Sequence, residues 1–279
     1  MVKIPLQQLS GRPTAALADR WLAELETRLA DPTVDRYDLC RDTLAALAFP
    51  EHASRLDAAL ADEAIPVATR LALSACDPRN VTLEPEYYGD CDQVRFQKVK
   101  PLLWLWYSFD RLPIGGQNVE LGVRLRRLLA PHVFKKVGRN FKCFQHVEFS
   151  FGYNLEVGDD VVIHRHVLLD DRGGIRLGDN VSVSDYVNIY SHTHSIVEQV
   201  DVTNAMTVLE DGVRITYHAT VLAGVHVGQQ GMVGAVAVAT KDVRPYHVNV
   251  GIPAKSVRVK PNAPADAGDR LRTSTDRQV

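Results

Sequence analysis

The sequence has no run of about 18 apolar residues, so no segment reads as a membrane-spanning helix. Its opening stretch, MVKIPLQQLSGRPTAALADRW, lacks an apolar h-region and does not read as a signal peptide. Cysteine is scarce. Cys40, Cys76, Cys91 and Cys143 lie far apart without CxxC spacing, which excludes a disulfide or cysteine-zinc framework. An excess of one charge is also missing: 32 Lys and Arg stand against 34 Asp and Glu, which argues against a protein that coats nucleic acid. These absences point to a cytoplasmic protein. With 279 residues, 46% of them hydrophobic, the chain can bury a sizeable core in one large domain or two smaller ones.

The two halves are made of different material. Residues 1–136 hold 22 Leu and 9 Val, whereas residues 137–260 hold 6 Leu and 25 Val. Leucine suits helices and β-branched residues suit pleated backbone. Twelve of the 18 glycines fall between Gly138 and Gly251, where the chain is expected to turn often. In the first half, Leu17, Trp21, Leu25 and Leu29 mark one helix face. Cys40, Leu44 and Leu47 mark a second helix that stops before Pro50; Leu56 with Leu60, and Val67 with Leu71, mark two more, the last ending at Asp77-Pro78. Residues 1–95 thus read as a helical domain without a catalytic constellation.

Residues 96–136 read as an amphipathic and basic connecting segment. PLLWLWYSFDRLP concentrates Leu102, Leu103, Trp104, Leu105, Trp106 and Phe109. It is expected to pack against the second half or a neighbouring subunit, with an interfacial membrane anchor as the alternative. Arg124, Arg126, Arg127, Lys135, Lys136, Arg139 and Lys142 follow as a basic stretch, read as a solvated face with an anion contact as the alternative.

The second half repeats every six residues. Val157, Ile163 and Leu169 keep that spacing; so do Leu177, Val183 and Ile189, and then Ile215, Val221, Val227 and Val233. A companion register runs two residues earlier through Leu155, Val161 and Val167, Ile175, Val181 and Val187, and Val213, Ala219 and Val225. Residues i and i+2 of a strand share a face, and no α-helix repeats an apolar pair every six residues. A parallel β-helix of short flat strands does, each unit forming one side of a coil. The period breaks at Asp171-Arg172-Gly173-Gly174, and again between Ile189 and Ile215, where a loop beginning SHTHS must leave the stack. Insertions on stacked repeats gather where function sits.

LGDNVSVSDYVNIYSHTHS (177–195), VLAGVHVGQQGMVGAVAVATKDV (221–243) and GIPAKSV (251–257) resemble the hexapeptide-repeat acyltransferases. They are most similar to the maltose, galactoside and nodulation-factor O-acetyltransferases. The resemblance covers about residues 137–260 and implies a left-handed parallel β-helix after the helical domain. It further implies a homotrimer with active sites at subunit boundaries, and acetyl-CoA as donor to a sugar or glycan hydroxyl, with no metal. A polar tail, 261–279, is expected to be disordered.

A hydroxyl attacking a thioester needs a base that works near neutral pH, which histidine supplies. The family register places that base at His194, with His192 two residues earlier as the close alternative on the same face. The resemblance also implies the backbone N–H of Tyr217 as oxyanion donor and Ala235, Thr240 and Lys241 beside coenzyme A. Lys255, in the closing turn, is read either as ending the last coil or as touching ligand. His164 stands where relatives carry a pocket asparagine. Asp170 and Asp171 fall near the family's pocket aspartate, either holding acceptor hydroxyls or capping the Gly173-Gly174 turn. Thr216 departs from the usual glycine before the oxyanion donor. Three other readings stay open: N-acetylation of an amino sugar, a γ-carbonic-anhydrase-like zinc enzyme using histidines among His164, His166, His192, His194 and His218, and a non-catalytic trimeric scaffold.

Overall fold

The structure, a computed structural model, describes Pro5, residues 13–198 and residues 200–265. Most of the tail expected to be disordered, residues 266–279, lies outside the described residues. The second half is a left-handed parallel β-helix of five full coils and the start of a sixth, with three sheets as its faces. Coils begin with Lys136–Val137, Leu155–Val157, Ile175–Leu177, Thr207–Leu209 and His226–Val227, which pair in parallel as one sheet. The second sheet closes with His247–Val250 and an antiparallel strand, Lys255–Val259. Register is uniform through the first coils: Val157 pairs with Val137 on one side and Leu177 on the other.

Both six-residue registers point into the coil and are buried, as strand alternation requires. One feature was not visible in that pattern. Corner residues Asn140, His146, Asp160, His166, Asn180, Tyr186 and His218 all take φ between 55° and 61°, the left-handed conformation that turns the chain between faces. Glycine is demanded at Gly158, where an added Cβ would lie 2.4 Å from Asp179 Oδ1 and 2.7 Å from the Gly178 carbonyl carbon.

The helices cover the open end of the first coil. Asp35 caps Arg36–Ala48, Asp92 caps Gln93–Arg111 by accepting the Arg95 N–H at 3.0 Å, and Asn118 caps Val119–Val133. Leu102, Leu105, Trp106 and Phe109 are fully buried, so the apolarity of PLLWLWYSFDRLP serves this core and not a membrane. Trp106 packs edge-on against Phe149 of the first coil, with centroids 5.3 Å apart, and Phe134 bridges Trp106, Phe141 and Phe149. The basic stretch is divided: Lys135, Lys136 and Arg139 are exposed, as a solvated face requires, whereas Arg126 and Lys142 are buried. Arg126 is buried on Asp110 and donates to the Cys143 carbonyl at 3.1 Å, while Asp110 accepts the His146 N–H at 2.7 Å. Arg124 pairs with Asp19 and Glu120, Lys135 with Glu156, and Arg139 with Asp159.

The earlier helices form where their spacing predicts, at Pro13–Ala30, Arg36–Ala48, Leu56–Ala61 and Val67–Ser74. Their faces are partly corrected. Leu17 is exposed and Leu22 buried instead; Val67 and Leu71 face outward while Leu73 is fully buried. Two apolar markers in an eight-residue helix are too few to fix which side meets the core. No described helix is long and apolar enough to cross a membrane.

Candidate active site

The third strand of each coil ends at one edge of the triangular stack. The first two coils turn there through residues 150–154 and 170–174. At the third coil the chain instead leaves as a hairpin, His192–His194 antiparallel to Val202–Asn204. Its root is fastened to the corner beneath. Ser191 Oγ donates to the Asp170 carbonyl at 2.6 Å and accepts the Gly173 N–H at 2.8 Å. Gly173 must be glycine, since a Cβ would stand 2.2 Å from the Ser191 carbonyl oxygen.

His192 and His194 share a face, as their spacing predicts, with ring centroids 5.3 Å apart at 86°. Each imidazole meets a carboxylate. His192 Nδ1 is hydrogen-bonded to Asp170, which is buried and also accepts from Ser150 Oγ at 2.6 Å. His194 Nε2 lies 3.5 Å from Glu86, which arrives from the helical region. Arg172, buried in the corner, donates to Glu86 and to Asp90, the latter at 2.8 Å from Nε. Hydrogen bonding from Arg172 holds the Glu86 carboxyl below the usual carboxylate range, and His194 and His192 add to the effect. A base oriented by a second group and offered to solvent is the arrangement general-base catalysis needs.

Asp171, read either as holding acceptor hydroxyls or as capping the Gly173-Gly174 turn, directs its side chain to the backbone of the preceding corner. It is fully buried, accepts backbone N–H groups from Phe151 at 2.8 Å and Asn154 at 3.1 Å, and braces the preceding corner. Burial raises its carboxyl to about 6.

The remaining predicted residues fall on two edges. Thr240 and Lys241 are exposed on the same edge as the hairpin, two coils further along: Asn188, Thr220 and Val238 stack in register just before them. His164, Tyr217 and Ala235 line the neighbouring edge, at the other end of the third sheet. The strands of the third sheet, Leu168–Asp170 in the second coil and Asn188–Tyr190 in the third, run between the two edges and hold them apart. Along that second edge His146, His166, Tyr186 and His218 stack ring on ring, with centroids 4.7–4.8 Å apart. His164 stacks on Phe144, its Nε2 is buried without a hydrogen-bond partner, and burial lowers its pKa. Lys255 is exposed at the start of the antiparallel closing strand.

Within one chain, then, His164, His166 and His218 do not meet His192 and His194. Among the described residues the trio close enough to hold a metal ion is Glu86, His192 and His194, of which Glu86 already pairs with Arg172. Glu86 and Arg172 were missed from sequence. Neither lies in the hexapeptide registers, and their 86-residue separation leaves no local signal.

No family model matches the chain. Over 140 residues, 49% of this chain, it is 26% identical to the galactoside O-acetyltransferase of Escherichia coli (strain K12), spanning 69% of that protein. A maltose O-acetyltransferase from Clostridium difficile 630 superposes with a TM-score of 0.53 at 24% identity, over 61% of this chain and 89% of the other. A galactoside acetyltransferase in complex with coenzyme A also gives a TM-score of 0.53, at 20% identity, over 72% of this chain and 99% of the other. The likeness to these two structures is one of fold.

Proposed function

We propose that this chain, an acetyltransferase of the hexapeptide-repeat type, moves an acetyl group from acetyl-CoA to a hydroxyl of a sugar or glycan precursor. The observation that carries the reading is the His192–His194 pair at the hairpin root, each ring against its own carboxylate. The acceptor oxygen attacks the thioester carbonyl directly. A C–O bond forms, the C–S bond to coenzyme A breaks, and the hydroxyl proton passes to His194 and on to the departing thiolate. His192, held by Asp170, lines the acceptor side. Coenzyme A lies along the coils past Thr240 and Lys241, with the Tyr217 N–H facing the oxyanion, Ala235 leaving room for the pantetheine arm and Lys255 near its end.

The two edges support a trimer. His164, Tyr217 and Ala235 reach His192 and His194 when the edge of one subunit faces the hairpin of the next. Ile196, Val197 and Val200, more than four-fifths exposed at the hairpin tip, supply apolar surface for such an interface.

Calorimetric titration with acetyl-CoA, followed by thiol release with methyl β-galactoside or maltose as acceptor, tests the reading. Micromolar binding and turnover are expected, and His194→Ala is expected to lose ~10²–10⁴ in kcat with the fold intact. Absence of acetyl-CoA binding overturns the transferase. Near-normal turnover of His194→Ala moves the base to His192.

A further inference from the structure

Part of the basic stretch borders a cavity in the helical region that shares no residue with the hairpin. Leu22 and Glu26 lie four residues apart on Pro13–Ala30, and Arg124, Leu128 and Pro131 follow at intervals of four and three on Val119–Val133, so each set forms one helix face. Between the two faces lies a cavity of about 480 Å³, within the size range of small-molecule sites. Leu22, Leu128 and Pro131 give it an apolar wall. Arg124, Arg127 and His132 bring nitrogen donors to it, and Glu26 is the exposed acid beside them.

The cations of this lining are unequally matched. Arg124 pairs with Asp19 at 2.7 Å and with Glu120 at 3.1 Å. Arg127 gives Nε to the Phe141 carbonyl at 2.9 Å, and among the described residues no carboxylate pairs with its guanidinium. Burial and the nearby Arg124 hold Arg127 below the usual guanidinium range, and burial and Arg127 lower Lys142 in the same way. Arg36 Nη2 stands 3.4 Å from His132 Nδ1. A guanidinium can only donate, so Nδ1 accepts and the neutral ring keeps its proton on Nε2. Burial and Arg36 lower the His132 pKa, which keeps that ring neutral at pH 7. We infer that the cavity binds a small amphipathic organic anion, its acidic head on Arg127 and His132 and its apolar body against Leu22, Leu128 and Pro131. An inorganic anion would leave the apolar wall wet, and a neutral apolar molecule would bury the Arg127 charge without a partner. A carboxylate and a phosphate monoester offer the same chemistry to these donors.

The test is calorimetric titration of the full chain with four probes: octanoate, octyl phosphate, 1-octanol and inorganic phosphate. At least one octyl anion is expected to bind below about 1 mM, with 1-octanol and inorganic phosphate each ~10-fold weaker or more. The tighter of the two octyl anions names the head group. Arg127→Met keeps an apolar side chain in place of the Arg127 stem and removes the charge. It is expected to weaken the octyl anion about 10–10²-fold and to leave 1-octanol unchanged. Glu26→Gln removes the opposing charge and should tighten the anion about two- to five-fold, an effect that added salt diminishes. Binding of neither octyl anion, or equal binding of 1-octanol, overturns the site. So does unchanged affinity in an Arg127→Met chain whose far-ultraviolet dichroism matches the wild type. Should Arg127→Met fail to fold, Glu26→Gln decides: no gain in anion affinity overturns the inference, and a gain lost at high salt supports it.

Discussion

In the β-helix a residue meets the residues one coil before and after it: Val157 lies in register between Val137 and Leu177, each 20 positions away. In the helical region neighbours come from unrelated places, so that Trp21 stacks on Phe109 and Glu86 pairs with Arg172. A stacked repeat concentrates its constraints at columns, where a change at one position strikes the same position of the next coil. A helical pack spreads them over irregular contacts. Where the two meet, at Trp106, Phe134 and Phe149, one apolar core runs continuously from helices into coils.

Trp106→Ala tests that continuity most severely. Removing a fully buried indole should cost ~3–5 kcal/mol in chemical unfolding, read by tryptophan fluorescence and far-ultraviolet dichroism together. One coincident transition fits a single cooperative unit. Two transitions would mean that helices and coils stand independently.

The second effect is one of pH and belongs to the corner column. Asp171 has its carboxyl raised from 3.8 to about 6, so the folded chain binds that proton more tightly than the unfolded chain does. Its contribution to stability is fully present below about pH 3.8 and is lost as pH rises through about 6. Two pH units correspond to about 3 kcal/mol. Asp171→Asn should remove that slope, so the stability gap between wild type and variant, measured by urea unfolding from pH 4 to 8, should vary with pH. A flat gap would show that the backbone N–H groups of Phe151 and Asn154 offset the burial.

The smallest effect contrasts two glycines. Gly158→Ala forces a Cβ to within 2.4 Å of Asp179 and should cost ~1–3 kcal/mol, whereas nothing lies within 4 Å of the Cβ that Gly89→Ala adds in the helical region. Gly89→Ala should stay within ~0.5 kcal/mol of the wild type in thermal melts. Equal losses would remove the distinction between column and irregular packing.

Much of the site could be read because it interrupts a period. His192 and His194 stand where the six-residue spacing fails, and their i, i+2 separation predicted the shared face that the hairpin gives them. Asp170 was named because it falls near the pocket aspartate of the resembling family, but its bond to His192 crosses 22 residues and depends on how one corner stacks on the next. Asp171 looks like Asp170 in the sequence. The two differ only because successive side chains of the corner point opposite ways, one toward the hairpin and one inward to the backbone of the preceding coil.

Composition and period by themselves determined the helical first half, the stacked second half and the position of the hairpin, because apolar side chains must recur at the interval at which the backbone returns to the core. Only the tertiary structure decided which side of the short helices is buried, that His164, Tyr217 and Ala235 lie on a different edge from His194, and that Glu86 comes within 3.5 Å of His194. Those outcomes depend on contacts between segments far apart in sequence, and a contact of that kind leaves no spacing to read.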